Sequence, residues 1–116
     1  FNSAIDLLIA NHQTVNTVVA THNADSTQLA LNKMDEFGIA KDDPKIYIAQ
    51  LFGMSDNISM NVAHAGYNVV KYLPFGPLAD VMPYLFRRAE ENTSVKGQTG
   101  RELQLIMQEL KRRKKK

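Results

Sequence analysis

The sequence predicts an α/β fold built around a parallel sheet. Three observations carry that prediction: three short apolar runs, a helical pattern after each, and polar or glycine-containing residues at each change-over. The runs are Thr14 to Ala20, Lys45 to Leu51 and Tyr67 to Leu73, each rich in valine, isoleucine or tyrosine. Nearly continuous hydrophobicity is what a strand needs when both faces of a parallel sheet are covered. Strands that alternate with helices in this way form βαβ units.

After the first strand, Asp25 and Ser26 are helix start signals, Leu29, Leu31, Met34 and Phe37 lie within the helix, and Gly38 ends it. A short second helix is expected between Asp56 and Ala65, closed by Gly66. The third opens after Gly76-Pro77, where proline suits the first turn, and runs to about Asn92. A last amphipathic segment carries Leu103, Ile106, Met107 and Leu110 on one side. The predicted order is strand, helix, strand, helix, strand, helix, helix. Three parallel strands make a thin sheet with two bare edges, so the pattern requires more strands. A flavodoxin-like sheet needs about five, and a (βα)8 barrel needs eight in ~250 residues. The amino end, Phe1-Asn2-Ser3-Ala4-Ile5, has neither a methionine nor a signal pattern, and the chain reads as part of something longer.

At 116 residues and 44% apolar content the composition is that of a soluble globular domain. The net charge of +2 conceals a division: of 14 basic residues the last six, Lys111 to Lys116, are consecutive, so 8 face 12 acidic residues elsewhere. The body is mildly acidic and the tail is a separate electrostatic object. Absence of cysteine excludes disulfides and thiolate chemistry and suits the cytosol or an organelle with a reducing interior. No apolar stretch is long enough to span a bilayer. His12, His22 and His64 are isolated from one another, so no metal site is expected. Glycine-rich phosphate loops and the Gly-x-Ser-x-Gly elbow are also missing.

In a parallel sheet, ligands collect beyond the carboxyl ends of the strands. Those ends are Thr21-His22-Asn23, Gln50-Leu51-Phe52-Gly53-Met54 and Tyr72-Leu73-Pro74-Phe75-Gly76. The first offers hydroxyl, imidazole and amide groups to a polar cofactor edge or a phosphate. Equally open is a reading in which Asn23 caps the next helix and His22 fills a polar rim. Leu51 either walls a small pocket or packs in the core. Most informative are Tyr84, Arg87, Arg88 and Glu91, at i, i+3, i+4 and i+7, which form one stripe if helical. Leu78, Val81, Met82, Leu85 and Ala89 supply the opposite side with apolar residues. Such a stripe is a solvated face or a built anion site. An aromatic ring beside two rigid guanidinium forks suits bidentate capture of a carboxylate or phosphate.

These segments together resemble one family. Val70-Lys71-Tyr72-Leu73-Pro74-Phe75-Gly76-Pro77 followed by Met82-Pro83-Tyr84-Leu85-Phe86-Arg87-Arg88-Ala89-Glu90-Glu91-Asn92 resembles the carboxyl-terminal signature of flavin-dependent proline dehydrogenases. Val19-Ala20-Thr21-His22-Asn23 resembles the end of that family's sixth barrel strand, and Gln50-Leu51-Phe52-Gly53-Met54 the end of its seventh. The resemblance covers nearly the whole chain and is strongest from Gly66 to Lys96. It implies the carboxyl-terminal part of a (βα)8 barrel, strands six to eight plus a terminal helix, in residues 1–110, with 111–116 as a basic tail. It further implies FAD as cofactor and oxidation of L-proline to 1-pyrroline-5-carboxylate, with electrons passed to quinone.

By the same resemblance, Arg87 and Arg88 clamp the substrate carboxylate, Tyr72 and Tyr84 bracket the proline ring, Leu51 floors its pocket, and Thr21 and His22 touch the FAD. Glu91, one turn beyond Arg88, is suitably spaced to orient the guanidinium groups. Hydroxyproline-oxidising relatives tend to carry serine where Tyr72 stands, so Tyr72 favours proline. Similarity to eukaryotic members implies the matrix side of the mitochondrial inner membrane. With three of eight strands, the chain alone is expected to be inactive, and no residue is assigned to the chemical step itself. The competing class is a non-catalytic interaction fragment whose Lys111–Lys116 tail meets an anionic membrane surface, at about 1 kcal/mol per basic residue. Nucleic acid is not an expected partner.

Overall fold

The computed structural model of the chain describes residues 1–94 and 98–114, with side chains for all of these except 91–94 and 98–102. The elements are α1 (Asn2–Ala10), β1 (Thr17–Ala20), α2 (Ala24–Glu36), β2 (Ile46–Leu51), α3 (Asp56–His64), β3 (Val69–Tyr72), α4 (Leu78–Ser94) and α5 (Gln98–Lys114). They fall into two compact units, Phe1–Leu73 and Pro74–Lys116.

In the first unit the three strands form one parallel sheet in the order β1-β2-β3. The alternation predicted from sequence is present, with β1 and β3 as edges. Helix α1 was not expected. It has no side-chain cap, and only the Phe1 carbonyl, accepting from Ala4 N–H (3.0 Å) and Ile5 N–H (3.2 Å), opens it. Its reason for existing is tertiary: Ile5 and Ile9, one turn apart, are buried in the core and the helix packs on α2 and β1.

Helix α2 is set locally. Asn23 Oδ1 accepts from Ser26 N–H at 3.0 Å, so the capping role open at the sequence level is the one observed. Both α2 and α3 end in the same device. Gly38 (φ 64°) and Gly66 (φ 95°) take the left-handed conformation, and the next amide turns back across the last turn. Ile39 N–H donates to the Met34 carbonyl at 2.9 Å and Tyr67 N–H to the Val62 carbonyl at 3.3 Å. Each reversal drops an apolar side chain into the core beside the helix it closes: Ile39 with Met34, and Tyr67 with Val62. Tyr67 therefore precedes β3 rather than starting it, and its hydroxyl donates to Asp35 Oδ1 at 3.1 Å.

Register fixes which side chains share a face. Val19 pairs with Ile48, and Ile48 with Val69, while Leu51 pairs with Tyr72. Thr17, Val19, Ile46, Ile48 and Gln50 are buried. On the alternate positions Val18 (59% exposed), Val70 (40%) and Tyr72 (55%) are open. The expectation that every strand is covered on both faces thus fails for β1 and β3. The continuous apolar runs instead cover one face, with the same chemistry left exposed on the other.

In the second unit α4 begins beyond Pro77, whose carbonyl accepts from Asp80 N–H (3.0 Å) and Val81 N–H (3.1 Å). Pro83 lies inside the helix and has no amide to give the Ala79 carbonyl. The apolar side predicted for α4 is present but open, with Leu78 75% and Leu85 41% exposed. Among the described side chains of α5 all but Glu109 are exposed. Lys111 to Lys114 form its last turn, where positive charge suits the helix dipole, and Lys115 and Lys116 lie outside the described residues.

Glu109 in α5 accepts from Arg112 Nε and Nη2, both at 2.6 Å, and from Arg113 Nε at 2.9 Å. These charged donors, Arg112 first, lower its carboxyl to about 2 from an ordinary 4.5. Because the folded value is the depressed one, the ion pair's contribution is present above 4.5 and disappears as pH falls through about 2. The group is exposed, so the consequence is local and screened by salt. Carboxyl-carbon NMR should give Glu109 a midpoint near 2, returning toward 4.5 in an Arg112→Ala, Arg113→Ala variant. An ordinary midpoint in the parent protein contradicts the pairing.

Candidate functional site

The carboxyl ends of β1, β2 and β3 carry a connected set of polar groups. Gln50, 3% exposed and last but one in β2, donates from Nε2 to the Thr21 carbonyl at 3.3 Å and accepts at Oε1 from the Ser59 hydroxyl at 2.8 Å. A buried amide is thereby satisfied on both ends, which ties the end of β1 to the first turns of α3. Thr21 Oγ1 accepts from Asn23 N–H at 3.1 Å. Its hydroxyl proton is not used by that bond. His22 Nδ1 lies 2.9 Å from Ser55 Oγ, linking the β1–α2 and β2–α3 connections.

The β2–α3 turn is further held from β3. Lys71 Nζ donates to the Met54 carbonyl at 2.6 Å and pairs with Asp56 Oδ1 at 2.8 Å. The lysine shares its sheet face with Gln50, its register partner. Leu51 and Tyr72 are also register partners, on the opposite face. The two residues expected to floor the substrate pocket and to flank its ring thus stand side by side, Leu51 half-buried and Tyr72 exposed.

Helix α4 is continuous through the predicted stripe. It brings Arg88 one turn above Tyr84, with the guanidinium carbon 5.3 Å from the ring centroid. At that distance the cation meets the ring face, which also restrains the plane of the fork. Arg87 is exposed and Arg88 half-buried. Glu91 belongs to α4, but its side chain lies outside the described residues. Among the described residues no cluster of metal-ligating side chains occurs.

A sequence model of the family described as Proline dehydrogenase matches residues 1–101. The chain belongs to the proline dehydrogenase family. It is 52% identical over 96 residues to "Proline dehydrogenase 1, mitochondrial" of Arabidopsis thaliana, covering 83% of this chain and 19% of the relative. The human protein of the same name is 49% identical over 83% of this chain and 16% of its own length. A hydroxyproline dehydrogenase of Bos taurus is 48% identical, covering 83% of this chain and 21% of that relative. Among solved structures, proline utilization A (PutA) from Bdellovibrio bacteriovorus inactivated by N-propargylglycine superposes with a TM-score of 0.72. Sequence identity there is 27%, over 82% of this chain and 10% of that one. The chain therefore spans under a quarter of the length of these family members.

Within this family member, three polar residues of the strand ends escaped sequence reasoning. Ser55 has the look of an ordinary helix cap, Gln50 was visible only as part of a strand end, and Lys71 only as part of the family signature. One signal was available for two of them. A lysine inside Val69-Val70-Lys71-Tyr72 and a glutamine inside Ile46–Leu51 are polar residues in apolar strands, and such groups need partners.

Proposed function

We propose that this chain is the carboxyl-terminal part of a (βα)8 barrel whose parent enzyme oxidises L-proline to 1-pyrroline-5-carboxylate in proline catabolism. In this reading β1, β2 and β3 are the sixth, seventh and eighth strands, residues 1–110 belong to the barrel domain, and 111–116 form a basic tail. Membership of the proline dehydrogenase family and the likeness to PutA support it. So does a parallel three-stranded sheet with β1 and β3 as edges.

The observation that carries the reading is the Arg88 guanidinium over the Tyr84 ring at 5.3 Å, with Arg87 adjacent in sequence. Two guanidinium forks bind a carboxylate through charge-assisted, directional hydrogen bonds, and the stacked ring restrains one fork before substrate arrives. Arg87 and Arg88 are assigned to the proline carboxylate, Tyr72 and Tyr84 to the faces of its ring, Leu51 to the pocket floor, and Glu91 to orienting the arginines. Each of these residues binds or orients, and none is assigned a proton transfer.

The cofactor of this reading is FAD. Thr21 and His22 fit it by their chemistry: a hydroxyl with an unused proton and an imidazole, both half-buried, at the carboxyl end of a parallel strand. When bound, FAD supplies acceptance of a hydride from the ring carbon next to nitrogen, which leaves a carbon–nitrogen double bond. Quinone is the onward electron acceptor. Relatives carrying "mitochondrial" in their names support a mitochondrial location; within the organelle, the matrix side of the inner membrane is this reading's own assignment, since quinone is membrane-borne. Exposed Leu103, Ile106, Met107 and Leu110 followed by Lys111–Lys114 favour peripheral contact of α5 and the tail with an anionic bilayer surface.

The test is the full-length protein assayed with L-proline and an artificial electron acceptor. Bound yellow flavin with proline-dependent dye reduction is expected. Salt-sensitive binding to anionic vesicles without flavin would support the non-catalytic interaction fragment instead. Hydroxyproline is the competing substrate, and Tyr72 is the residue on which the two readings divide. Tyr72→Ser in the full-length enzyme should move the ratio of kcat/KM toward hydroxyproline by about ten-fold. An unchanged ratio removes Tyr72 from the specificity assignment.

A further inference from the structure

We infer that Ser55 is a positioning residue for the flavin site: its hydroxyl engages His22 Nδ1 and so holds the imidazole in the direction in which it meets the cofactor. This rests on the assignment of His22 to FAD given above. Three features of Ser55 point the same way. It has φ 51° and ψ 38°, and among the described residues it is the one non-glycine with positive φ. That region is unfavourable for a residue with a Cβ and persists where surrounding structure enforces it. Secondly, it occupies the N-cap of α3, where a serine hydroxyl ordinarily accepts from an amide of the first turn, and it makes no such bond. The hydroxyl goes instead to His22, 33 residues away, at 2.9 Å.

Thirdly, the turn that carries Ser55 is held independently of His22. Lys71 binds the Met54 carbonyl on one side of Ser55 and the Asp56 carboxylate on the other. The Ser55 carbonyl accepts from Ile58 N–H (3.0 Å) and Ser59 N–H (3.1 Å). Ser55 itself is 3% exposed. The hydroxyl is therefore the fixed partner and the half-buried imidazole the oriented one. Holding Nδ1 against a fixed hydroxyl restricts rotation of the imidazole before a ligand binds.

The experiment is a double-mutant cycle in the full-length enzyme, read as the Kd for FAD, with thermal unfolding of the flavin-free protein as a check of the fold. Ser55→Ala keeps the Cβ and removes the hydroxyl. Ser55→Gly removes both and relaxes the backbone, so it carries the test if the alanine variant does not fold. The expected result is FAD binding weakened about three- to ten-fold by either variant, and no additional loss when His22 is already alanine. A full additional loss in the His22→Ala background, or undiminished affinity in both Ser55 variants while His22→Ala weakens binding, overturns the positioning role alone. Unchanged FAD affinity in His22→Ala overturns the flavin assignment of His22, and the Ser55 inference with it.

Discussion

Replacing Arg88 by methionine in the full-length enzyme raises the KM for L-proline about ten-fold or more, because each charged hydrogen bond to the carboxylate is worth ~1.5 to 3 kcal/mol. Methionine is chosen because it keeps an unbranched apolar stem and a sulfur able to rest against the Tyr84 ring, so α4 loses its fork with little change in packing. Arg88→Lys retains the charge as a point and loses the planar geometry, and its KM should fall between the two. Where the clamp also aligns the ring, kcat falls together with kcat/KM. Steady-state kinetics on purified, flavin-loaded enzyme decide the matter, and an unchanged KM removes Arg88 from the substrate site.

The second large effect is on stability. Ile48 is 1% exposed, lies in the central strand between Val19 and Val69, and belongs to the core with Ile5, Ile9 and Met34. Truncation to alanine removes buried methyl and methylene groups and leaves a cavity that a strand paired on both sides cannot close, costing about 2 to 5 kcal/mol. Ile48→Val deletes one methylene and costs about 0.5 to 1.5 kcal/mol. Urea unfolding of the full-length protein should reproduce that order as shifts in midpoint at constant slope. Equal midpoints for the two variants would mean that β2 is not the centre of this core.

Much of the fold was legible because its signals are local. Valine- and isoleucine-rich runs located the three strands, and Asp25, Gly38, Asp56 and Gly66 bounded two helices within a residue or two of their observed ends. Helix α1 was not legible, since no capping residue announces it and burial of Ile5 and Ile9 depends on elements that come later in the chain. Strand limits were overextended at Thr14 and Tyr67 for a related reason. Apolar character marks burial, and Tyr67 is buried as the residue after a helix reversal rather than as strand.

The candidate site divides in the same way. Tyr84 and Arg88 were visible as a pair because the four-residue spacing of a helix is a sequence property, and their observed stacking follows from it. Leu51 and Tyr72 are neighbours only through strand register, which no local pattern encodes; their grouping came from family resemblance. Ser55 and Lys71 depend on a turn whose left-handed serine sits between the two groups that Lys71 holds, the Met54 carbonyl 17 residues before the lysine and the Asp56 carboxylate. Such a conformation opposes local preference and is therefore invisible to it.

Under the proposed function, the parent of this chain is a flavin enzyme that takes electrons from L-proline while Arg87 and Arg88 bind the substrate carboxylate. Anaerobic titration of the full-length protein with L-proline, followed at the visible absorbance of bound flavin, addresses it most directly. Bleaching by L-proline that saturates is expected, with the midpoint displaced to higher concentration in Arg88→Met. A flavin that stays oxidised in excess L-proline, or a purified, folded protein that binds no flavin, would contradict it.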